Sequence, residues 1–258
     1  MTHAAAFFDL DKTIIATNSA IAFHKPFYAD GLITRSDVLR SSYAQFLYLV
    51  GGADADQTER LRRHLSEMVT GWDVAQVSRI VQSTLHEYIE PRVYAEAVEL
   101  IAAHHAAGRE VVIVSASGSE VVEPIAAALG ADHVIATRLE VVDGKYTGDI
   151  DFYAYGENKA SAIRDLARER GYDLQASNAY SDSITDVPLL SAVGHGTVVN
   201  PDRTLRRSAQ AEGCQVLQFS RPVTLHQGFT PRNQLLILGA VACLGFAAYA
   251  LYRGLRRR

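Results

Sequence analysis

The stretch FFDLDKT at residues 7–13 places two carboxylates directly after an apolar run. Residues 4–8 are all apolar and predict a buried strand, so Asp9 and Asp11 are expected at its C-terminal tip. Side chains at positions i and i+2 there both face the mouth of the sheet. One carboxylate can then attack phosphorus while the other protonates the leaving oxygen. The plainer interpretation of the same residues is a turn with a helix-capping aspartate.

Two further polar residues lie where a predicted helix begins. Ser115 ends the apolar run 111–114 and precedes small residues that open a helix, where hydroxyl and amide groups bind anions. Lys159 opens another helix, where the helix dipole disfavours a cation, and this suggests that it neutralises a phosphoryl group. The alternatives are an ordinary strand-end serine and a solvated surface lysine.

Asp182 and Asp186 follow the predicted strand 176–180. Because Mg²⁺ prefers oxygen ligands and keeps several waters, Asp182 and Asp9 can suffice as its carboxylates. Asp186 lies one helical turn further on, where it can hold a water molecule or Lys159. The ordinary interpretation of the two aspartates is a helix-capping box.

Strand-like and helical segments alternate along most of the chain and predict an α/β fold with a doubly wound, parallel, Rossmann-like core. A hairpin joined by the turn dipeptide Asp143-Gly144 is expected within it. The helical periodicity of residues 19–92 predicts a helical cap inserted after the first strand. The predicted domains are the catalytic core at 1–16 and 91–219, the cap at 17–90, a linker at 220–233, a membrane helix at 234–252 and a basic tail at 253–258.

Composition excludes several classes of protein. The 258 residues carry a net charge of −4 at pH 7 and include only two cysteines, which excludes a disulfide framework and a cysteine-ligated zinc site. Four of the last six residues are arginine, so the body is more acidic than the average, and no nucleic-acid partner is expected. No signal peptide is expected either, because charged residues interrupt the first apolar stretch.

The C-terminal segment is the most apolar part of the sequence. Leu235 to Tyr252 contains no charged residue, and at about 1.5 Å per residue a helix of this length approaches the thickness of a bilayer core. Flanking arginines and tyrosines are typical of an interfacial helix end, so residues 234–258 are predicted to contact membrane lipid. The predicted location is membrane-associated with the catalytic domain on the cytoplasmic side. A buried core helix and a re-entrant arrangement are the alternatives.

The ordered set of motifs on strand ends resembles the haloacid dehalogenase (HAD) superfamily, in particular the phosphoserine-phosphatase-like subfamily IB with a helical cap between the first two strands. The resemblance implies that Asp9 is the nucleophile that becomes an aspartyl-phosphate and that Asp11 is general acid and then base. It implies that Ser115 and Lys159 bind the substrate phosphate.

The same resemblance implies Mg²⁺ as cofactor, ligated by Asp9, by Asp182 and by the backbone carbonyl of Asp11, with Asp186 supporting that shell. One departure concerns the substrate. Phosphoserine phosphatases place an ammonium-binding glutamate nine residues after the nucleophile, and this chain has the neutral Asn18 there. Two smaller departures are Lys12 and Ser181, which replace small residues of the family pattern.

The functional prediction is therefore an Mg²⁺-dependent phosphomonoester hydrolase. Because Asn18 offers no charge and residues 234–252 indicate a membrane anchor, the predicted substrate is a membrane lipid or lipid-precursor phosphate. The first alternative is a phosphoserine phosphatase that acts on a soluble amino-acid phosphate. The alternative of another class is a membrane-anchored sensor that binds a phospho-ligand without turnover.

Overall fold

The computed structural model describes residues 3–33, 66–201, 203–212 and 215–223. The strands are β1 (Ala5–Phe8), β2 (Val93–Tyr94), β3 (Glu110–Gly118), β4 (His133–Val142), β5 (Lys145–Phe152), β6 (Asn178–Ser181), β7 (His195–Val199), β8 (Gln215–Leu217) and β9 (Pro222–Val223). The α-helices named below are α1 (Ser19–Ala22), α2 (His24–Ala29), α3 (Val74–Tyr88), α4 (Ala95–Ala106), α5 (Ser119–Leu129), α6 (Glu157–Arg170), α7 (Val187–Ser191) and α8 (Arg203–Glu212).

Seven of these strands form one sheet in the order β5-β4-β3-β1-β6-β7-β8. Neighbouring strands run parallel except for β4 and β5, which form an antiparallel hairpin. Strand β1 lies between β3 and β6. Strands β3, β4 and β5 follow on one side of β1, and strands β6, β7 and β8 follow on the other, so the strand order reverses at β1. The predicted α/β core with a mostly parallel sheet is confirmed.

Helices cover both faces of this sheet. On one face Phe7, Val112 and Val114 pack with Ile163 of α6 in a single buried cluster. On the other face the ring of Phe8 lies against His104 of α4. A strand that is buried on both faces reads as a continuous apolar run, which is why residues 4–8 and 111–114 predicted strands correctly.

The hairpin forms where the turn dipeptide predicts it. Asp143 and Gly144 both adopt positive φ, 51° and 76°, as the tight turn between two antiparallel strands requires. Strand β4 is continuous over residues 133–142, whereas the sequence pattern predicts one strand at 133–137 and a separate hairpin strand at 139–142. The two predicted strands merge because β4 pairs with β3 along its first half and with β5 along its second.

The described part of the predicted cap is helical. Helices α1 and α2 follow β1, and α3 buries Val77, Ile80, Val81 and Leu85 on one side. Residues 34–65 of the predicted cap lie outside the described residues, so the cap boundaries 17–90 stay a prediction.

The segment predicted to be a linker begins with ordered structure. Strand β9 pairs antiparallel with β2, and the amide of Ala95 donates to the carbonyl of Arg221 at 2.7 Å. The Arg221 guanidinium also lies 3.2 Å from a carboxylate oxygen of Glu96. These contacts attach residues 220–223 to the start of α4, so the folded unit extends a few residues beyond the predicted boundary at 219.

The predicted membrane helix and basic tail, residues 234–258, lie outside the described residues. Within the ranges that the structure describes, no helix is both long enough and apolar enough to cross a bilayer.

Candidate active site

The sheet topology brings three of the predicted site residues to one edge. Asp9 follows β1, Ser115 lies in the last part of β3, and Asp182 follows β6. Because β3, β1 and β6 are adjacent and parallel, their C-terminal ends meet at the point where the strand order reverses. Ligand sites of open α/β sheets lie in this position.

A buried lysine joins two of the aspartates. The Nζ atom of Lys159 lies 2.6 Å from Oδ1 of Asp9 and 2.8 Å from Oδ2 of Asp186. Lys159 is only 3% exposed, which contradicts the interpretation as a surface lysine. It lies in the first turn of α6. This helix begins directly after Gly156, whose φ of 55° allows the sharp entry into it.

The electrostatics of this cluster indicate a shortage of positive charge. Burial raises the pKa of Asp9 well above its ordinary value, and the Lys159 ammonium only partly opposes this shift. Burial also raises the pKa of Asp182 to about 6, although the nearby Lys12 acts in the opposite direction. Burial alone would lower the pKa of Lys159, but the carboxylates of Asp9 and Asp186 outweigh it and raise this pKa. Lys159 is therefore charged, and the three carboxyl groups of Asp9, Asp182 and Asp186 outnumber this one ammonium group.

Asp11 is held by two serines. Its Oδ1 atom accepts a hydrogen bond from the amide of Ser19 at 2.9 Å, and its Oδ2 atom accepts one from the Ser117 hydroxyl at 3.2 Å. Burial raises the pKa of Asp11, and these hydrogen bonds to the ionised form oppose the shift. Ser115 is connected to the same group, because its Oγ atom accepts from the Ser117 amide at 3.2 Å.

The loop after β6 is fixed by short-range hydrogen bonds. The Ser181 hydroxyl donates to Oδ2 of Asp186 at 2.8 Å and accepts from the Ser183 amide at 3.2 Å. Thr13 contacts the loop from the first motif, with its hydroxyl 3.5 Å from Oδ1 of Asp182. Ser181, which departs from the family pattern, therefore orients the aspartate that binds Lys159.

The oxygen atoms at this edge fit a divalent cation. The predicted ligands are the carboxylates of Asp9 and Asp182 and the backbone carbonyl of Asp11, which is the hard-oxygen chemistry that Mg²⁺ prefers. Burial is the main cause of the raised pKa of both carboxyl groups, so a bound divalent cation would favour their ionised forms. Among the described residues, no group of three or more His, Cys, Asp or Glu side chains forms a metal site. Two carboxylates and a carbonyl do not require such a group, since Mg²⁺ completes its shell with water and phosphate oxygens.

All six predicted site residues lie at this edge of the sheet or are connected to it by the contacts above. Their catalytic and ligand roles stay predictions. No sequence pattern marks Ser19 or Ser117 as a site residue, and Ser117 stands out only as one of the small residues after Ser115.

The family model for haloacid dehalogenase-like hydrolases matches residues 6–191. The chain belongs to this family. The matched range begins in β1 and ends with α7, so it contains every residue of the candidate site.

Two relatives in Mycobacterium tuberculosis H37Rv indicate the class of reaction. One, a probable phosphatase, is 58% identical over 246 residues, which cover 95% of this chain and 85% of the relative. The other, a phosphoserine phosphatase, is 35% identical over 218 residues, which cover 84% of this chain and 71% of the relative. The chain is thus a phosphatase of the HAD type and resembles the phosphoserine phosphatases of subfamily IB. The predicted enzyme class is confirmed.

A solved structure supports the fold. The crystal structure of a protein of unknown function from Bordetella pertussis matches with a TM-score of 0.74 and 30% sequence identity. The match covers 84% of this chain and 99% of the other chain, so the two share their α/β core.

Proposed function

We propose that this phosphatase hydrolyses a phosphomonoester with Mg²⁺ through an aspartyl-phosphate on Asp9. The observation that carries the proposal is the buried contact between Asp9 and the Lys159 ammonium at 2.6 Å. The Lys159 ammonium opposes the effect of burial on the pKa of Asp9 and so favours the anion, which is the nucleophilic form.

In the first half of the reaction, an Oδ atom of Asp9 forms a bond to phosphorus while the bond from phosphorus to the ester oxygen breaks. Asp11 gives its proton to the departing oxygen, so the alcohol leaves neutral. Ser115 and Lys159 bind phosphoryl oxygens, where a hydroxyl and an ammonium compensate the developing charge.

In the second half, Asp11 takes a proton from a water molecule, and the water oxygen attacks phosphorus. The bond between phosphorus and Asp9 breaks, which releases inorganic phosphate and restores the carboxylate. Asp9, Asp182 and the backbone carbonyl of Asp11 would hold Mg²⁺, which would supply positive charge to the phosphoryl oxygens when bound.

Asp9→Asn tests this mechanism directly. The variant retains the shape of the side chain but has no nucleophilic carboxylate, so it should not form an acid-stable phosphoryl-enzyme and should not turn over 4-nitrophenyl phosphate. The matched control is Asp149→Asn on the exposed part of β5, which should behave as the wild type. Removal of divalent cations by a chelator should stop wild-type turnover, and added Mg²⁺ should restore it. Turnover by Asp9→Asn at the wild-type rate would exclude the mechanism.

The substrate that the relatives support best is a soluble amino-acid phosphate. A relative at 35% identity is a phosphoserine phosphatase, which favours the phosphoserine alternative over the predicted lipid phosphate. In this chain Asn18 caps helix α1, with its Oδ1 atom accepting from the Ile21 amide at 3.2 Å. Since Asn18 is neutral and used as a cap, the ammonium of phosphoserine would need another acidic partner in the cap.

A lipid or lipid-precursor phosphate is the second candidate. The uncharged stretch from Leu235 to Tyr252 supports it, because a membrane anchor on the cytoplasmic side would hold the active site near substrates in the same bilayer. The test compares kcat/KM of the full chain for phosphoserine and for lysophosphatidate in mixed micelles. Preference for phosphoserine supports the first candidate, and preference for the lipid supports the second.

A further inference from the structure

Two hydrogen bonds hold the carboxylate of Asp11, one on each of its oxygens. The Ser19 amide donates to Oδ1 at 2.9 Å, and the Ser117 hydroxyl donates to Oδ2 at 3.2 Å. The hydroxyls of Ser19 and Ser117 are themselves 2.8 Å apart. Because the Ser117 proton is directed at Asp11, the Ser19 hydroxyl acts as the donor to Ser117 in this arrangement.

The two serines come from different parts of the fold. Ser117 lies near the end of β3, two residues after Ser115, and Ser19 is the first residue of α1. Ser19 is completely buried, and the Ser117 amide is bound to Ser115. Burial of Ser19 and the bond from the Ser117 amide to Ser115 limit the movement of both partners, so these residues can restrict the Asp11 carboxylate.

We propose that Ser117 is a positioning residue that holds Asp11 in the geometry for proton transfer to the leaving oxygen. The inference rests on the proposed function, since it takes Asp11 as the general acid. Without the Ser117 hydroxyl, Oδ2 of Asp11 loses this donor, and only Ser19 still restricts the carboxylate. The carboxylate can then rotate away from the ester oxygen, and the proton transfer loses part of its advantage.

This role has a consequence that a merely structural role does not have. An alkyl phosphate such as phosphoserine has a poor leaving group, which needs a proton as it departs. 4-Nitrophenyl phosphate has a good leaving group, which departs as the anion. Damage to the general acid therefore slows the alkyl ester and spares the aryl ester, whereas damage to the fold or to the phosphate site slows both.

The experiment measures kcat/KM for both esters, because this constant includes every step up to departure of the leaving group. Ser117→Ala is expected to lower kcat/KM for the alkyl ester about 10- to 100-fold and that for the aryl ester less than about 3-fold. Asp11→Asn should show the same split with a larger amplitude. Ser117→Thr keeps the hydroxyl and should recover most of the loss.

Ser177→Ala is the matched control. The Ser177 hydroxyl is fully buried. It donates to the carbonyl of Asp173 at 2.7 Å and accepts from the Ala5 amide at 3.0 Å, and it lies at the end of β1 opposite to the candidate site. Its loss should lower the midpoint of thermal unfolding and leave the ratio of the two kcat/KM values unchanged.

Equal losses on both esters in Ser117→Ala, or no loss on either, would overturn the inference. Trapping of the phosphoryl-enzyme separates this failure from failure of the mechanism. If the wild type forms the aspartyl-phosphate and Ser117→Ala shows no split, only the role of Ser117 is wrong. If the wild type forms none, the proposed function fails as well.

Discussion

Replacing Lys159 with methionine tests how the buried charges of the site depend on one another. The Nζ atom of Lys159 bonds to Asp9 at 2.6 Å and to Asp186 at 2.8 Å, and all three side chains are at least 92% buried. Breaking a buried ion pair by removing one partner costs about 3–5 kcal/mol, because the remaining charge stays desolvated. We expect a loss of unfolding free energy of that size for Lys159→Met at pH 8, where the unfolded carboxylates are ionised.

The penalty should depend on pH in a defined direction. Without the ammonium, the pKa of Asp9 rises further above its ordinary value of 3.8, because the cation no longer opposes the effect of burial. A carboxyl group whose folded pKa is raised is favourable for folding at low pH and becomes unfavourable as the pH rises through that pKa. The difference between wild type and Lys159→Met should therefore be largest at pH 8 and smaller near pH 5.

The assay is urea denaturation of both proteins at pH 8 and pH 5 without divalent cations, and turnover of 4-nitrophenyl phosphate is measured separately with added Mg²⁺. Lys145→Met is the matched control, because Lys145 is exposed on β5, and it should change neither stability nor turnover. Lys159→Met should lower turnover about 10²- to 10³-fold, as expected for loss of one fixed charge at the reacting group. The double variant Lys159→Met/Asp186→Asn should regain stability but not activity. A penalty that is independent of pH, or turnover close to wild type, would refute this account of the site.

Three further predictions concern other parts of the molecule. His104 is 4% exposed, and burial, assisted by Arg109, lowers its pKa to about 4. As the pH falls from 7 to 4, the unfolded state therefore gains a proton on this residue before the folded state does, and the stability advantage of wild type over His104→Gln should shrink by up to about 3 kcal/mol. Urea denaturation at the two pH values measures this difference. Asp182→Asn removes one of two predicted carboxylate ligands and should raise the Mg²⁺ concentration for half-maximal turnover by at least about 10-fold, which a metal titration would measure; an unchanged titration would contradict the ligand assignment. A Cβ atom at Gly194 would lie 1.9 Å from the carbonyl oxygen of Gln175, so Gly194→Ala should lower the urea midpoint by the equivalent of about 1–3 kcal/mol, and an unchanged midpoint would show that the backbone accommodates it.

Most of the core could be predicted because its signals are local. The sequence pattern predicts helices at 119–129 and 159–170 and strands at 4–8 and 195–199. Helices α5 and α6 and strands β1 and β7 lie within two residues of these bounds, and the Asp143-Gly144 turn forms as expected. Each of these elements combines a clear apolar pattern with a residue that ends it. The meeting of Asp9 and Asp182 also followed from the sequence, because both come after buried strands and parallel strands end at the same edge.

The contacts that the sequence could not reveal join residues far apart in the chain. Ser117 and Asp11 are separated by 106 positions, and no periodicity encodes which hydroxyl reaches which carboxylate. The pairing of β2 with β9 was missed for a similar reason, since two-residue strands carry no alternating pattern. Lys159 is intermediate: its place at the start of a helix suggested another task, but its two carboxylate partners became visible only in the structure.

In the proposed mechanism, substrate choice and proton transfer by Asp11 are connected through consecutive residues at the start of the cap. Asn18 caps α1, and the next residue, Ser19, supplies the amide that binds Asp11. Asparagine is among the favoured N-cap residues, because its short side chain reaches the free amides of the first turn, whereas glutamate is not. Asn18 therefore fixes the N-terminal end of α1, and with it the Ser19 amide that donates to Asp11. A glutamate there would offer a charge to an ammonium group but would lose this cap, so recognition of a substrate amine in this chain has to come from residues that do not also hold the general acid in place.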